Sequence, residues 1–237
     1  MAGNAGRPAD GTGIDPPDPC PAPAHGLRIL PLTNPDVESA ARLYTDVFLA
    51  DEPTSHRHAP DPARFFPYAK VYVRSLVRKD LSFISRVETT GELAGFIFGF
   101  DLTDDPAGEG SQIAEFLSHF REAVAMIDEL ESRYLDRDRI PAGSVLHIFQ
   151  IGVARKYRRR RIAEAMILRV LAHAQERGFR QAVADCTSPV SKRTFGRCGF
   201  LERGFSPYEA FSMDGVRFFA GLEGGITLMA RDLDHAQ

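Results

Sequence analysis

Cysteine is scarce in this chain, and long apolar runs are missing. The three cysteines, Cys20, Cys186 and Cys198, form an odd set without metal-ligand spacing. That excludes an even disulfide framework and a cysteine-based metal centre. It suits a reducing, cytoplasmic compartment, with Cys186 and Cys198 as small buried residues. No apolar run reaches membrane-spanning length, so no membrane partner is expected. The N-terminus lacks the apolar core of a secretory signal. Histidine is thin too: His56 and His58 have no partners at ligand spacing, and no metal is expected. Net charge is only −3 over 237 residues, so bulk electrostatics give no reason to expect a nucleic-acid partner.

What is present is apolar content of 43%, enough for one sizeable domain or a domain plus a tail. Residues 1–26 are rich in Pro, Gly, Ala and Asp and have nothing with which to bury a face, which predicts a disordered tail. The folded domain is expected over 27–237.

The stretch from His147 to Phe200 organises that domain. A short apolar run, His147–Val153, reads as a buried strand. Next comes a loop, Arg155–Arg161, in which six of seven residues are Arg or Lys. Helical spacing then starts near Ile162 with Met166 and Val170, and Gly178 stops it. A second strand, Gln181–Cys186, and a short helix near Ser191–Arg197 follow. Strand, loop, helix and strand in that order predict two parallel strands joined by a crossover helix. The basic loop sits where a strand hands over to a helix, so unsatisfied N–H groups favour an anion there. From composition alone, a solvated face, a nuclear-import signal and a nucleic-acid patch remain open.

These residues carry a resemblance. VARKYRRRRIAEAMI, residues 153–167, resembles the acyl-coenzyme A loop of the GNAT N-acyltransferases, whose core pattern is Gln/Arg-x-x-Gly-x-Gly/Ala. Arg158 holds the first position and Ala163 the last, while Arg161 stands where the family has glycine. TFGRCGF, residues 194–200, resembles the family's closing segment. From Leu27 onward the chain resembles the arylalkylamine N-acetyltransferase branch, the insect dopamine-acetylating type in particular. The cues are Asp51-Glu52-Pro53, an inserted helix, Cys186-Thr187 to Ser191, and an aromatic C-terminal hairpin.

The resemblance implies an α/β fold with a mixed sheet and a helix inserted before the central strand. It implies acetyl-CoA as co-substrate and a small amine as acceptor. Gln150, Ile151, Gly152 and Val153 would pair with the pantetheine arm, and an N–H near Gly152 or Val153 would stabilise the oxyanion. Arg158, Arg159, Arg160, Arg161, Ile162 and Ala163 would hold the phosphates. Glu52 would act as base through water, assisted by Ser191 and Thr187. A tyrosine acid of many family members is replaced here by Phe195, so the acid would be another group, a water, or unnecessary; nothing in the sequence supports Tyr208 as the substitute.

Each of these residues also has a plainer reading. Glu52 is a solvated loop acid, Ser191 an N-cap of the short helix, Gly152 an ordinary strand glycine where the site would use a bulge that splays the strands, and His147 a core residue.

Elsewhere the spacing predicts a strand at Leu27–Leu32 and a helix from Asn34-Pro35 to about Leu49. Pro53 then pushes Glu52 to an extended conformation. A helix is expected over Pro62–Arg78, and two antiparallel strands over Leu81–Val87 and Leu93–Leu102. One long helix is expected over Ser111 to about Leu135. Arg203–Phe211 and Val216–Phe219 should form a hairpin about Asp214-Gly215, and Ile226–Leu233 a last strand. The expected activity is acetyl transfer to a primary amine in a ternary complex. A protein or peptide acceptor, a longer acyl donor, a non-catalytic acyl-CoA-binding protein and a homodimer all stay open.

Overall fold

The structure is a computed structural model and describes residues 26–233. The expected tail, all but Gly26, lies outside the described residues, as does Cys20. Among the described residues seven strands form one sheet: β1 (Leu27–Pro31), β2 (Phe83–Val87), β3 (Leu93–Asp101), β4 (Val145–Val153), β5 (Gln181–Cys186), β6 (Leu201–Pro207) and β7 (Gly225–Asp232). Their spatial order is β1-β2-β3-β4-β5-β7-β6. β1 to β4 form an antiparallel meander, β4 and β5 run parallel, and β7 and β6 complete the sheet antiparallel. This is the mixed α/β architecture expected.

Helices cover both faces. On one, α6 (Ile162–Glu176) makes the β4–β5 crossover, burying Met166, Ile167 and Val170 against Ala94, Ile97, Leu146 and Ala182. On the other, α1 (Val37–Asp51) and α3 (Pro62–Val77) pack Tyr44, Tyr72 and Phe65 against Phe96 and Phe98. Local chemistry fixes the helix starts. Asp61 caps α3 by accepting from Ala63 N–H at 2.9 Å, with Pro62 in the first turn.

Three expectations need correction, two in the connections and one in the sheet. The long helix over Ser111–Leu135 is two helices, α4 (Ser111–Ser118) and α5 (Arg121–Ser132). The break at His119–Phe120 lets each serve a different core. Ile113 and Phe116 of α4 join the aromatic cluster of Phe65 and Phe98, whereas Met126 and Leu130 of α5 pack on Val145 and Val183. Phe120, at the break, buries its ring edge-on to Phe48 and Phe116. The C-terminal hairpin is reduced to one bridge, Met213 to Val216, about the Asp214-Gly215 turn. Its first strand stops at Pro207, because Tyr208, Phe211 and Phe219 collapse into a buried aromatic group that draws the chain off the sheet. A one-turn helix, α2 (Ser55–His58), follows Pro53 unannounced.

The sheet's central feature is a fork. β4 and β5 pair only from Val145↔Gln181 to Ile148↔Ala184, and beyond that point they part. On the other side of β4, the register with β3 slips between Phe98↔Gln150 and Gly99↔Ile148, leaving Phe149 as an extra residue. The expected bulge is therefore at Phe149, not at Gly152. Gly152 has a different reason to lack a side chain: a Cβ there would lie 2.5 Å from Phe96 Cζ and 2.9 Å from Val47 Cγ1.

Candidate active site

The fork opens into a cleft of about 910 Å³. Its walls are the free ends of β4 and β5, the end of α1, the apolar faces of α4 and α5, and the loop before α6. Phe48, Phe116, Phe120, Phe149 and Ile127 make one side apolar, while Glu52, Thr187, Arg158 and Arg161 bring charge and hydroxyls to the other.

Glu52 is the C-cap of α1, with φ −78° and ψ 117°, the extended geometry its proline neighbour dictates. The residue keeps one side on the cleft, but its carboxyl group is enclosed by protein. Thr187 donates its hydroxyl to Oε2 at 2.6 Å. Thr54 donates N–H at 3.3 Å and hydroxyl at 3.1 Å to Oε1. Burial raises the pKa of Glu52 above the usual carboxylate value; the bonds from Thr187 and Thr54 oppose that shift without cancelling it. A carboxylate tuned upward in a cleft is suited to accept a proton.

Thr187 is itself pinned, since Tyr208 donates its hydroxyl to Thr187 O at 2.8 Å. Tyr208 is buried, and desolvation drives its pKa far above the ordinary phenol value, so it is a strut. Ser191 lines the cleft but makes no hydrogen bond to Glu52. It completes a capping box at the start of α7 (Pro189–Arg197), donating N–H to Ser188 Oγ at 3.2 Å and accepting Ser188 N–H at the same distance. Phe195 is buried on Phe200. Burial pushes the Cys186 thiol up to about 12, which leaves it without thiolate character.

Backbone direction sorts the strand residues. Ala154 N–H donates to Ala94 O on β3 at 2.9 Å. Alternation along β4 then turns Gly152 N–H toward β3, and the N–H groups of Ile151 and Val153 toward the fork. Of the two expected oxyanion donors, Val153 faces the cleft and Gly152 does not.

The basic loop sits as expected between β4 and α6. The first helical bond in α6 runs from Ala165 N–H to Arg161 O at 3.1 Å, so the first-turn N–H groups before it lack backbone acceptors. Arg159 and Arg161 have φ of 64° and 57°. Arg161 thus adopts the left-handed backbone that explains a glycine at this point of the pattern. Its Nε donates to Glu164 Oε2 at 2.6 Å, and Arg197 Nη1 reaches Glu164 Oε1 at 3.2 Å. Arg158 is engaged by both Asp51 oxygens and donates Nε–H to Val153 O at 3.1 Å. Arg160 does not line the cleft; its guanidinium lies 5.5 Å over the Tyr157 ring. The expected cleft residues Ile151, Gly152, Val153, Arg158, Arg159, Arg161, Ile162 and Ala163 all line it.

Sequence reading missed Thr54, Asp51 as the partner of Arg158, and the Glu164–Arg197 pair. It also missed a buried group made of Glu131 on α5, His147 on β4 and Asp185 on β5, whose ligand-type atoms lie within 4.8 Å of one another. No spacing along the chain announces residues drawn from three separate elements.

A search of curated proteins by sequence finds no match. Among solved structures, arylalkylamine N-acetyltransferase 2 from Aedes aegypti is similar, with TM-score 0.71 and 14% identity over 89% of this chain and 100% of that one. The C-terminal condensation domain of Ebony, in complex with beta-alanyl-dopamine, has TM-score 0.69 and 21% identity over 87% and 98%. The Drosophila melanogaster polyamine N-acetyltransferase has TM-score 0.67 and 15% identity over 87% and 100%. At these identities the likeness is one of fold. Residues 38–200, more than half of the chain, match the model of the acetyltransferase (GNAT) family, and the chain belongs to that family.

Proposed function

We propose that this chain transfers the acetyl group of acetyl-CoA to the amine of a small arylalkylamine or alkylamine, by direct attack with both substrates bound. As a member of its family it is an acyl-CoA-dependent transferase with acetyl-CoA as co-substrate. The similar mosquito and fly enzymes are an arylalkylamine and a polyamine N-acetyltransferase. The apolar, aromatic wall of Phe48, Phe116, Phe120 and Phe149 favours a small hydrophobic amine as the acceptor here.

Glu52 is the observation that carries this reading. An alkylamine is mostly protonated at neutral pH and must lose a proton before its nitrogen can attack. The Glu52 carboxylate takes that proton, directly or through water. The amine nitrogen then bonds to the thioester carbon, the carbon–sulfur bond breaks, and the departing thiolate takes up, through water, the second proton that the nitrogen sheds on becoming an amide. Val153 N–H, open to the fork, stabilises the oxyanion. Open N–H groups at the start of α6, with Arg159 and Arg161, take the phosphates. Ser191 holds the start of α7, and Thr187 keeps Glu52 aimed.

Replacing Glu52 by Gln preserves shape and removes the base. The expected result is a fall in kcat of about 10²-fold or more, with acetyl-CoA affinity by calorimetry within twofold of the parent. An unchanged kcat across the pH range would remove Glu52 from the mechanism.

A further inference from the structure

The buried group of Glu131, His147 and Asp185 lies where β4 and β5 part. His147 is one residue before the last paired residue of β4, and Asp185 one residue after its partner on β5. His147 Nε2 is 2.8 Å from Asp185 Oδ2 and 3.6 Å from Glu131 Oε1. The three side chains are only 1–2% exposed. Glu131 is further paired with Arg137, which also stands 3.9 Å from Asp128 at the surface. The rings of Phe100 and Phe149 close the histidine's other sides.

Two carboxylates so deeply buried need compensation. Glu131 Oε1, Asp185 Oδ1 and His147 Nδ1 have no hydrogen-bond partner, so the compensation of the two carboxylates is the positive charge beside them. Arg137 supplies one charge for two acids. A protonated His147 supplies the second and brings the group to neutrality, and with Arg137 it opposes the burial that raises the pKa of Glu131. Burial alone would lower the pKa of His147; the bond to Asp185 and the charges of Glu131 and Asp185 outweigh it and raise it above the ordinary imidazole value.

Asp185 and Thr187 are two residues apart on β5 and its extension, so they face the same side of the sheet. Thr187 is the residue that holds Glu52. We propose that His147 is a positioning residue, a buried imidazolium that ties Asp185 to α5 at the fork and thereby keeps Thr187 on Glu52. This rests on the reading of Glu52 as the base.

Three measurements test it on the full chain. Nitrogen-15 NMR of the His147 ring at pH 7 should show both ring nitrogens protonated; a neutral tautomer overturns the proposal. Elemental analysis of the purified protein should find no stoichiometric divalent metal; one bound at Glu131, His147 and Asp185 would overturn it too. His147→Gln should lower kcat about tenfold and move the acid limb of its pH profile upward, with the KM for acetyl-CoA within twofold. Should that variant fold poorly, the double variant His147→Gln/Asp185→Asn restores charge balance. It should melt above the single variant and keep the displaced acid limb, because the tie to Thr187 is still cut. Additive losses in the double variant, or an unmoved limb in either, sink the positioning role. Failure of the Glu52 reading looks different, because Glu52→Gln would keep its activity while the ring NMR and the charge-balance rescue stay as predicted.

Discussion

At the scale of single residues, the candidate site is one carboxylate whose protonation is set by opposing forces. Burial disfavours the charged form of Glu52, and donors from Thr187 and Thr54 favour it. Thr187→Val keeps the shape and removes one donor, so the Glu52 pKa should rise further. The acid limb of kcat/KM should shift to higher pH, because more of the base is protonated at any given pH. A pH series of initial rates reads this directly, and a downward shift would contradict the assignment of Thr187 as a donor to the charged form. Glu52 was legible in the sequence because Pro53 constrains its neighbour. Thr54 was not, because nothing in a two-residue offset says that a side chain turns back on the cleft.

At the scale of elements, the loop before α6 departs from the family pattern in side chain but not in backbone. Arg161 occupies left-handed space at φ 57°, where most residues are strained by about 1–2 kcal/mol and glycine is not. Comparing Arg161→Gly with Arg161→Val isolates that term, since both lose the pair to Glu164. The glycine variant should be more stable than the valine variant by about 1–2 kcal/mol, measured by urea unfolding. The same loop shows what a basic run leaves open. A run of arginines says nothing about which guanidinium turns outward; here Tyr157 collects the one at 160. The α4–α5 break was hidden for a related reason. Apolar spacing continues through Phe120, and only the existence of two cores on that face makes a break favourable.

Across the whole molecule, several buried groups bind protons more tightly when folded. His147 is the one whose ordinary value, 6.5, lies nearest neutrality. A folded value above the unfolded one means its stabilisation is complete below 6.5 and is lost as pH rises through the folded value. Each unit of difference is worth about 1.4 kcal/mol. Thermal melts from pH 6 upward should therefore fall more steeply for the parent than for His147→Gln. Parallel curves would show that His147 carries no such linkage.

The sequence by itself determined most of the succession of strands and helices, the crossover between β4 and β5, the place of the basic loop and the extended turn at Glu52. Each follows from short-range causes: side-chain period, proline geometry and unsatisfied helix termini. Tertiary structure alone decided where the strands part and which N–H groups of β4 face the fork. It also brought Glu131, His147 and Asp185 together. Those outcomes depend on residues 38 and 54 positions apart meeting in one buried space, where desolvation rather than local preference sets the energy.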